Sequence, residues 1–422
     1  MLKPQENELL TRVGPGTPAG RLLRRYWHPI AAVSEMEQRW TKRVRLLGED
    51  LVLYKDRGGR LGLLAEACPH RRASLAYGIP SADGLRCPYH GWMFDAAGRC
   101  IEQPNEPADS TFKDKVATAG YPVETLGGLV FAYLGPAPAP LVPRLDGFVV
   151  EGAIRTLGQA VVPCNWVQIM ENSVDPIHAE WLHGHFHEFL REGTGTKFSL
   201  SRRHLKIAFD EFAYGIVKRR LLEGQPEECD DWRIGHPIVF PTILALGNAA
   251  ADWRQYQFQI RVPMDDTHTM HYWYNAFVPP PHARPAAHLL ERTDVYDVPF
   301  TDERGEYLLD TIYAQDIMVW VAQGAIADRT VEALGAGDRG VTLFRRMLRR
   351  ELERVERGED PICVERDPAR NVLIELPLES QKNSRADGFE SLVRRHNLRY
   401  SAYADDLIAL FGPAAWEPVR PA

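Results

Sequence analysis

The sequence predicts an α+β protein: an N-terminal antiparallel β domain, then a larger α+β domain in which a curved antiparallel sheet grips a helix. Three observations carry this. From Val44 onward the pattern is one of short strands, Val44–Leu47, Leu51–Lys55, Leu61–Glu66, Trp92–Asp95 and Leu129–Leu134, separated by Gly, Asp and Pro turns. The run Gly135-Pro136-Ala137-Pro138-Ala139-Pro140 can form neither a central strand nor a helix, so it reads as a linker. Beyond it, helical spacing near 165–183 and 313–324 brackets two alternating strands, Tyr256–Val262 and Met270–Val278. At 422 residues the chain is too long for one ordinary core. It divides into a helical segment packing on the β domain (1–40), the β domain (41–134), the linker (135–143) and the second domain (144–422).

The composition, 45% hydrophobic and 25% charged, is that of a soluble globular protein. A net charge of −7 offers no basic face, which argues against a nucleic-acid partner. No apolar run approaches the eighteen or so residues of a membrane span, and the polar opening Met1-Leu2-Lys3-Pro4-Gln5-Glu6-Asn7 is unlike a signal peptide, so a cytoplasmic protein is expected. Six Cys in this length are not a disulfide framework.

In chain order, Leu9, Leu10 and Val13 precede a Gly14-Pro15-Gly16 break, and Leu22, Leu23 and Tyr26-Trp27 follow on a second apolar stripe, which predicts short helices covering the next domain. The first chemistry lies within the β domain. Cys68-Pro69-His70-Arg71-Arg72 and Cys87-Pro88-Tyr89-His90-Gly91-Trp92 each offer one thiolate and one imidazole from a tight turn, with sixteen residues between His70 and Cys87. A structural zinc ion accepts two Cys and two His, but from Cys-x2-4-Cys and His-x3-5-His pairs. The mixed pattern here suits a [2Fe-2S] cluster, both Cys on one iron and both His on the other. Neutral imidazoles in place of thiolates raise the reduction potential.

The second domain opens its chemistry at Asn165. Helical spacing runs through Glu171-Asn172 into Ser173-Val174-Asp175-Pro176-Ile177-His178, then Ala179 to Gly184. Asp175 and His178, three apart, would share a helix face. His183 lies five beyond His178, about 140° round a regular helix, which would not aim both imidazoles at one point. Gly184 as a helix stop would let His183 turn inward. His185, seven beyond His178, is a rival, and His187 a weaker one. Two His need a carboxylate to complete the facial triad of non-haem iron sites. Tyr313 to Gly324 is an apolar helix bearing one acid, Asp316, which in such surroundings needs a partner or a metal; Asp310 and Asp328 are the alternatives. In the strand region between, Arg202, Arg203, Lys218, Arg219, Arg220 and Arg233 are the informative polar residues, and Lys218 and Arg220 would share a strand face. Past Asp338, a long helix carries Val341, Phe344, Met347 and Leu348 on one side and charges on the other, as a covering helix or subunit contact would.

The two fingers resemble the Rieske cluster motif, and Asp-x2-His-x4-His after a Glu-Asn pair resembles the mononuclear iron motif of Rieske ring-hydroxylating oxygenase large subunits. The stretches 325–329 and 334–340 are similar to the phthalate dioxygenase branch, whose members are homotrimers without a small subunit. The resemblance implies cluster ligands Cys68, His70, Cys87 and His90 and iron ligands His178, His183 and Asp316. It makes Asp175, on the same helix as Asn172, an acid bridging His178 to the neighbouring subunit's cluster-bound His90. It also implies electrons from a separate reductase carrying flavin and a plant-type ferredoxin, since this chain has no flavin or nicotinamide fingerprint. The reaction would be ring hydroxylation or O-demethylation. Aromatic acids are common substrates of the branch, for which Arg203, Lys218 and Arg220 are the candidate carboxylate binders. A Rieske electron carrier would need only the first 140 residues, and a zinc-stabilised binding module would be indifferent to reductant; neither accounts for both metal motifs.

Overall fold

The computed structural model describes residues 1–192, 200–249, 254–379 and 386–412. Among them no helix is long and apolar enough to cross a membrane. Three small sheets form the N-terminal third. Trp27–Ala32 pairs with Leu129–Tyr133, which pairs with Val123–Leu126. A four-stranded antiparallel sheet follows the order Thr41–Leu46, Glu49–Lys55, Leu61–Ala65, Gly120–Tyr121. Its first hairpin closes through Leu47 and Gly48, both at positive φ (50° and 79°), the primed turn whose twist matches paired strands. The third, Ile79–Pro80, Leu85–Arg86, Met93–Phe94 and Cys100–Glu102, lies beside the two Cys/His fingers. Residues 135–140 form no helix or strand.

The second part is built on one eight-stranded sheet. Its spatial order is His204–Phe212, Gly215–Leu222, His236–Val239, Ile243–Ala249, Arg254–Pro263, Thr269–Val278, Ile154–Val162, Asp294–Asp297. All neighbours are antiparallel except the last pair, which makes the sheet mixed rather than purely antiparallel. The helix Trp166–Val174 lies in its grip, touching the strands Ile243–Ala249 and Arg254–Pro263, and every residue of it but Asn172 is buried. Asn165 caps it, its Oδ1 accepting from Val167 N at 3.1 Å.

The first forty residues differ from expectation in two ways. Pro4–Thr11 and Pro18–Leu23 are helices, each opening on a proline whose missing N–H has no helical partner anyway. But Trp27–Ala32 is a buried strand, because ladder pairing to Leu129–Tyr133 outweighs the helical stripe. And the helices touch the second part: Pro18–Leu23 lies on the long helix Arg339–Glu356, and Asn7 donates to the Ala327 carbonyl at 3.1 Å. Arg24 reaches the β sheet, paired with Glu49 at 2.5 Å.

A buried ion cluster joins the pieces. Glu171, in the gripped helix, accepts from Arg329 (2.7 to 3.1 Å) and from Arg345 Nε (2.6 Å), and Arg345 also pairs with Glu332. Burial alone would raise the Glu171 carboxyl, but Arg329 and then Arg345 more than offset it and hold it below its ordinary range. One residue pair up the helix, Gln168 donates to the carbonyls of Trp320 (2.7 Å) and Gly324 (2.9 Å) and accepts from Ala327 N (2.9 Å), so the end of the helix Ile312–Ala322 is tied to the same helix. Glu171→Gln leaves the buried Arg329 without its carboxylate and Arg345 with Glu332 alone, and is expected to cost about 3–5 kcal/mol in chemical denaturation; a loss below about 1 kcal/mol would assign the enclosure to apolar packing alone.

Candidate metal centres and the cavity between sheet and helix

The two fingers share one backbone. In each, the Cys N–H donates to the carbonyl five residues on, Cys68 to Ala73 (2.9 Å) and Cys87 to Trp92 (2.8 Å). The N–H four residues on returns to the Cys carbonyl, from Arg72 (2.9 Å) and Gly91 (3.0 Å). That fourth position is left-handed in both, Gly91 at φ 76° and Arg72 at 62°. Glycine adopts it freely, whereas an arginine there stores strain of the kind found at functional turns.

The turns bring like ligands together. Cys68 and Cys87 are buried free thiols, and burial, with the neighbouring Cys87, pushes the Cys68 thiol up to about 11 against N–H groups of His70 and Arg71 that favour its thiolate. The rings of His70 and His90 stand edge to face, centroids 4.6 Å apart, with Trp92 stacked on His70 at 4.3 Å. His90 Nδ1 is buried with no hydrogen-bond partner, as an atom reserved for a metal would be. Among the described residues, the sets of three or more donors converging on one point lie elsewhere. A pair of thiols and a pair of imidazoles are the donor set that suits a [2Fe-2S] cluster, one pair on each iron.

One converging set is His178, His183 and Asp316, whose ligand atoms lie within 4.8 Å of one another. His183 Nε2 is 3.1 Å and His178 Nε2 3.8 Å from Asp316 Oδ1, and that oxygen is buried without a hydrogen bond. The chain reaches this geometry by a route the regular helix did not predict. Pro176 bars the preceding residue from helical conformation, so the helix ends at Asp175 (φ −91°, ψ 117°). Asp175 and His178 therefore do not share one helix face; instead Asp175 Oδ1 accepts from Ile177 N (2.7 Å) and Oδ2 from His178 N (3.3 Å), starting the next helix. Its Oδ2 lies 3.5 Å from His178 Nδ1. Asn172 contributes its carbonyl, which accepts from Asp175 N at 3.1 Å. Residues Trp181–Phe186 then form a π-helix. With i→i+5 bonding, five residues make roughly one turn, and His183 comes back under His178. Gly184 does not stop the helix, which continues to Leu190. It is needed because any Cβ there would meet Ser201 Cα at 2.5 Å.

Gln315, unremarked in the sequence, sets the tautomer of His183. Its Nε2 donates to the Leu309 carbonyl (2.9 Å) and to His187 Nδ1 (3.0 Å), so its Oε1 accepts from His183 Nδ1 (2.9 Å). That leaves the His183 Nε2 lone pair facing Asp316. Burial would raise the Asp316 carboxyl, but His183, then His178 and Arg261, hold it below its ordinary value. His187 thus supports His183 without joining the set, and His185 turns outward toward Glu188 (3.8 Å) and Trp181. Asp310 is exposed and paired with Arg399 (2.7 Å), and Asp328 bonds Thr330 (2.6 Å).

One turn before Asp316, Tyr313 enters a cavity of about 610 Å³ between sheet and helix, walled also by Gln257, Gln259, Arg202, Arg220 and His396. Arg220 points into it and is held by Asp231 at 3.4 Å. Lys218 is buried and its charge acts on both Asp175 and His183. Arg203 is exposed and not part of the cavity wall. Asp231, His236 and Glu379 form the second converging set, with His236 Nε2 2.9 Å from Glu379 and 3.5 Å from Asp231. Because the Arg220 guanidinium already sits on Asp231, this set reads as a charge network and not as a cation site.

Residues 26–122 match the family described as the Rieske [2Fe-2S] domain, and residues 301–374 match "LigXa C-terminal domain like". The chain is 46% identical over 381 residues to a 5,5'-dehydrodivanillate O-demethylase oxygenase subunit of Sphingobium sp. (strain NBRC 103272 / SYK-6), covering 89% of this chain and 87% of the relative. It is 33% identical to a phthalate 4,5-dioxygenase oxygenase subunit of Pseudomonas putida, covering 86% of this chain and 89% of that one. Among solved structures, Pseudomonas putida CBB5 NdmA with caffeine superposes with a TM-score of 0.59 at 20% identity, over 81% of this chain and 94% of that one, a likeness of fold. If Gln315 sets the donor atom of His183, Gln315→Leu should lower Fe(II) affinity about 10- to 100-fold, read from metal titration, with the thiol-bound chromophore unchanged; unaltered Fe(II) affinity would remove Gln315 from the centre.

Proposed function

Because the chain belongs to the Rieske non-haem iron oxygenases, as a large subunit of the phthalate dioxygenase-like branch, we propose that it O-demethylates a carboxylated aromatic methyl ether. The observation that carries this reading is the convergence of His178, His183 and Asp316 one helical turn from a cavity large enough for a substituted aromatic compound. The relative at 46% identity is named as an O-demethylase, the one at 33% as a dioxygenase, which favours demethylation over ring dihydroxylation. The enzyme is an oxygenase that works with a separate reductase; that this donor carries flavin and a plant-type ferredoxin is part of the proposal.

The Rieske domain carries a [2Fe-2S] cluster, and the catalytic part a mononuclear iron. In our reading Cys68 and Cys87 hold one cluster iron and His70 and His90 the other, while His178, His183 and Asp316 hold the mononuclear iron. When bound, these groups supply single-electron storage and activation of O2. The balance is one methyl ether, O2, two electrons and two protons, giving the phenol, formaldehyde and water. The chain's own residues do the rest. Gln315 fixes His183 by its Nδ1 proton, and Asp175 stands beside Nδ1 of His178. Arg220, on the cavity wall, favours a carboxylate there, and Lys218 is buried on the same strand face. The gripped helix and the sheet keep bulk water from the ligand atoms.

The outer side of the His183 segment exposes Trp181 (63%) and Phe189 (68%), and the finger tips expose Tyr89. Apolar surface next to a buried centre supports coverage by a second copy, in a homotrimer where Asp175 faces the neighbour's fingers. All six thiols are free, which suits a reducing, cytoplasmic setting.

Sedimentation should give three times the 47.8 kDa chain mass, and Trp181→Glu should give monomers that keep iron and cluster yet lose turnover. A native monomer with full activity would end the trimer reading. With a reductase, methoxylated aromatic acids should release formaldehyde in step with reductant use; cis-diols without formaldehyde would make the enzyme a dioxygenase instead. Lys218→Met should raise KM for the acid about 10- to 100-fold while sparing its carboxamide.

A further inference from the structure

Most of the polar side chains on the cavity wall are uncharged, and two of them are locked in opposite orientations. Gln257 and Gln259 lie two apart on the strand Arg254–Pro263, share a face, and both line the cavity. Each amide is held at one end by a buried partner: Gln259 by Arg261, which can only donate, and Gln257 by Asn275, whose own orientation is set by its neighbours.

Asn275 sits opposite Gln257 in the ladder and is wholly buried. Its Nδ2 faces the Trp273 carbonyl (3.4 Å), which can only accept, and the Thr156 hydroxyl (3.3 Å). Asn275 Oδ1 is therefore the atom turned to the glutamines, and it accepts from Gln255 Nε2 (3.2 Å) and Gln257 Nε2 (3.0 Å). That holds the Gln257 nitrogen to Asn275 and, at 3.4 Å, to the Tyr313 hydroxyl, and leaves its Oε1 for the cavity. Gln259 is held the other way. Arg261 has only donors, is 1% exposed, and donates through one nitrogen to Gln259 Oε1 (2.9 Å) and through another to the Gln259 carbonyl (2.7 Å). The Gln259 oxygen is thereby occupied, and its Nε2 is left for the cavity.

We propose that this pair reads the uncharged oxygen substituents of the substrate, Gln257 as a fixed acceptor for a hydroxyl hydrogen and Gln259 as a fixed donor to an ether or carbonyl oxygen. The proposal rests on the reading of the cavity as the substrate site and narrows it: the preferred compound is an aromatic acid carrying a free hydroxyl as well as a methoxy group. A donor and an acceptor that cannot exchange roles discriminate more sharply than mobile amides, because the wrong substituent leaves a buried polar atom unpaired.

The test measures dissociation constants of the enzyme loaded with cluster and iron for three acids of one skeleton. The first carries hydroxyl and methoxy groups, the second two methoxy groups, and the third neither. The wild type should prefer the first over the second. Gln257→Leu should weaken the first about three- to tenfold and leave the second within about twofold, erasing that preference. Gln259→Leu should weaken both oxygenated acids by a similar factor and spare the third. Asn275→Leu, which unlocks Gln257 while leaving it in place, should erase part of the hydroxyl preference and serves if Gln257→Leu does not fold. Variants that keep the cluster absorbance and weaken all three acids equally, or none, overturn the proposal alone. A wild type that binds none of the three overturns the substrate-site reading, and the proposal with it.

Discussion

The structure turns on how one enclosed helix is held. Trp166–Val174 carries two buried polar side chains, Gln168 and Glu171, three residues apart, that bind the neighbouring segments. Gln168 satisfies the carbonyls at the end of the Asp316 helix, and Glu171 binds Arg329 just beyond that helix and Arg345 on the long covering helix. A buried carboxylate between two guanidinium groups offsets its desolvation only with the geometry kept intact. The pair therefore sets the distance between the segment bearing His178 and His183 and the helix bearing Asp316, although neither Gln168 nor Glu171 reaches the converging atoms.

On that frame, two local departures from regular helix do the aiming. Pro176 interrupts the chain so that Asp175 can cap the next segment, and a π-turn adds the width that His183 needs to return under His178. The π-turn is stabilised from outside: Gly184 admits the backbone of Ser201, and Gln315 holds the ring of His183. Irregularity here is a positioning device and is sustained by contacts from two separate parts of the chain.

The two candidate centres differ in how they treat charge. At the fingers, burial and the neighbouring Cys87 hold the Cys68 thiol above its ordinary range, and the rings of His70 and His90 stand edge to face. In the cavity, Arg202 and Arg220 stand among Asp230, Asp231 and Glu379, and amides held by Asn275 and Arg261 line the wall. Such a wall is suited to a compound that is charged at one end and polar but neutral elsewhere.

Much of the chemistry was legible in the order of residues, because metal sites use few residue types at short spacings. Cys68-x-His70 with Cys87-x2-His90, Asp175-x2-His178-x4-His183, and a single acid in an apolar helix at Asp316 are signals of this kind. Strand alternation likewise located the central ladder at 256–262 and 270–278. Local pattern could not decide whether His183, His185 or His187 faced inward, since that depends on a π-turn stabilised by Ser201 and Gln315, one of them 132 residues from His183. Nor could it show that Trp27–Ala32 would be a strand, that Arg203 would face solvent, or that Gln257 and Gln259 would point opposite atoms at the cavity. Residue identity and spacing determine which atoms can bind; orientation depends on partners distant in sequence, and those meet only when the sheet closes on the helix.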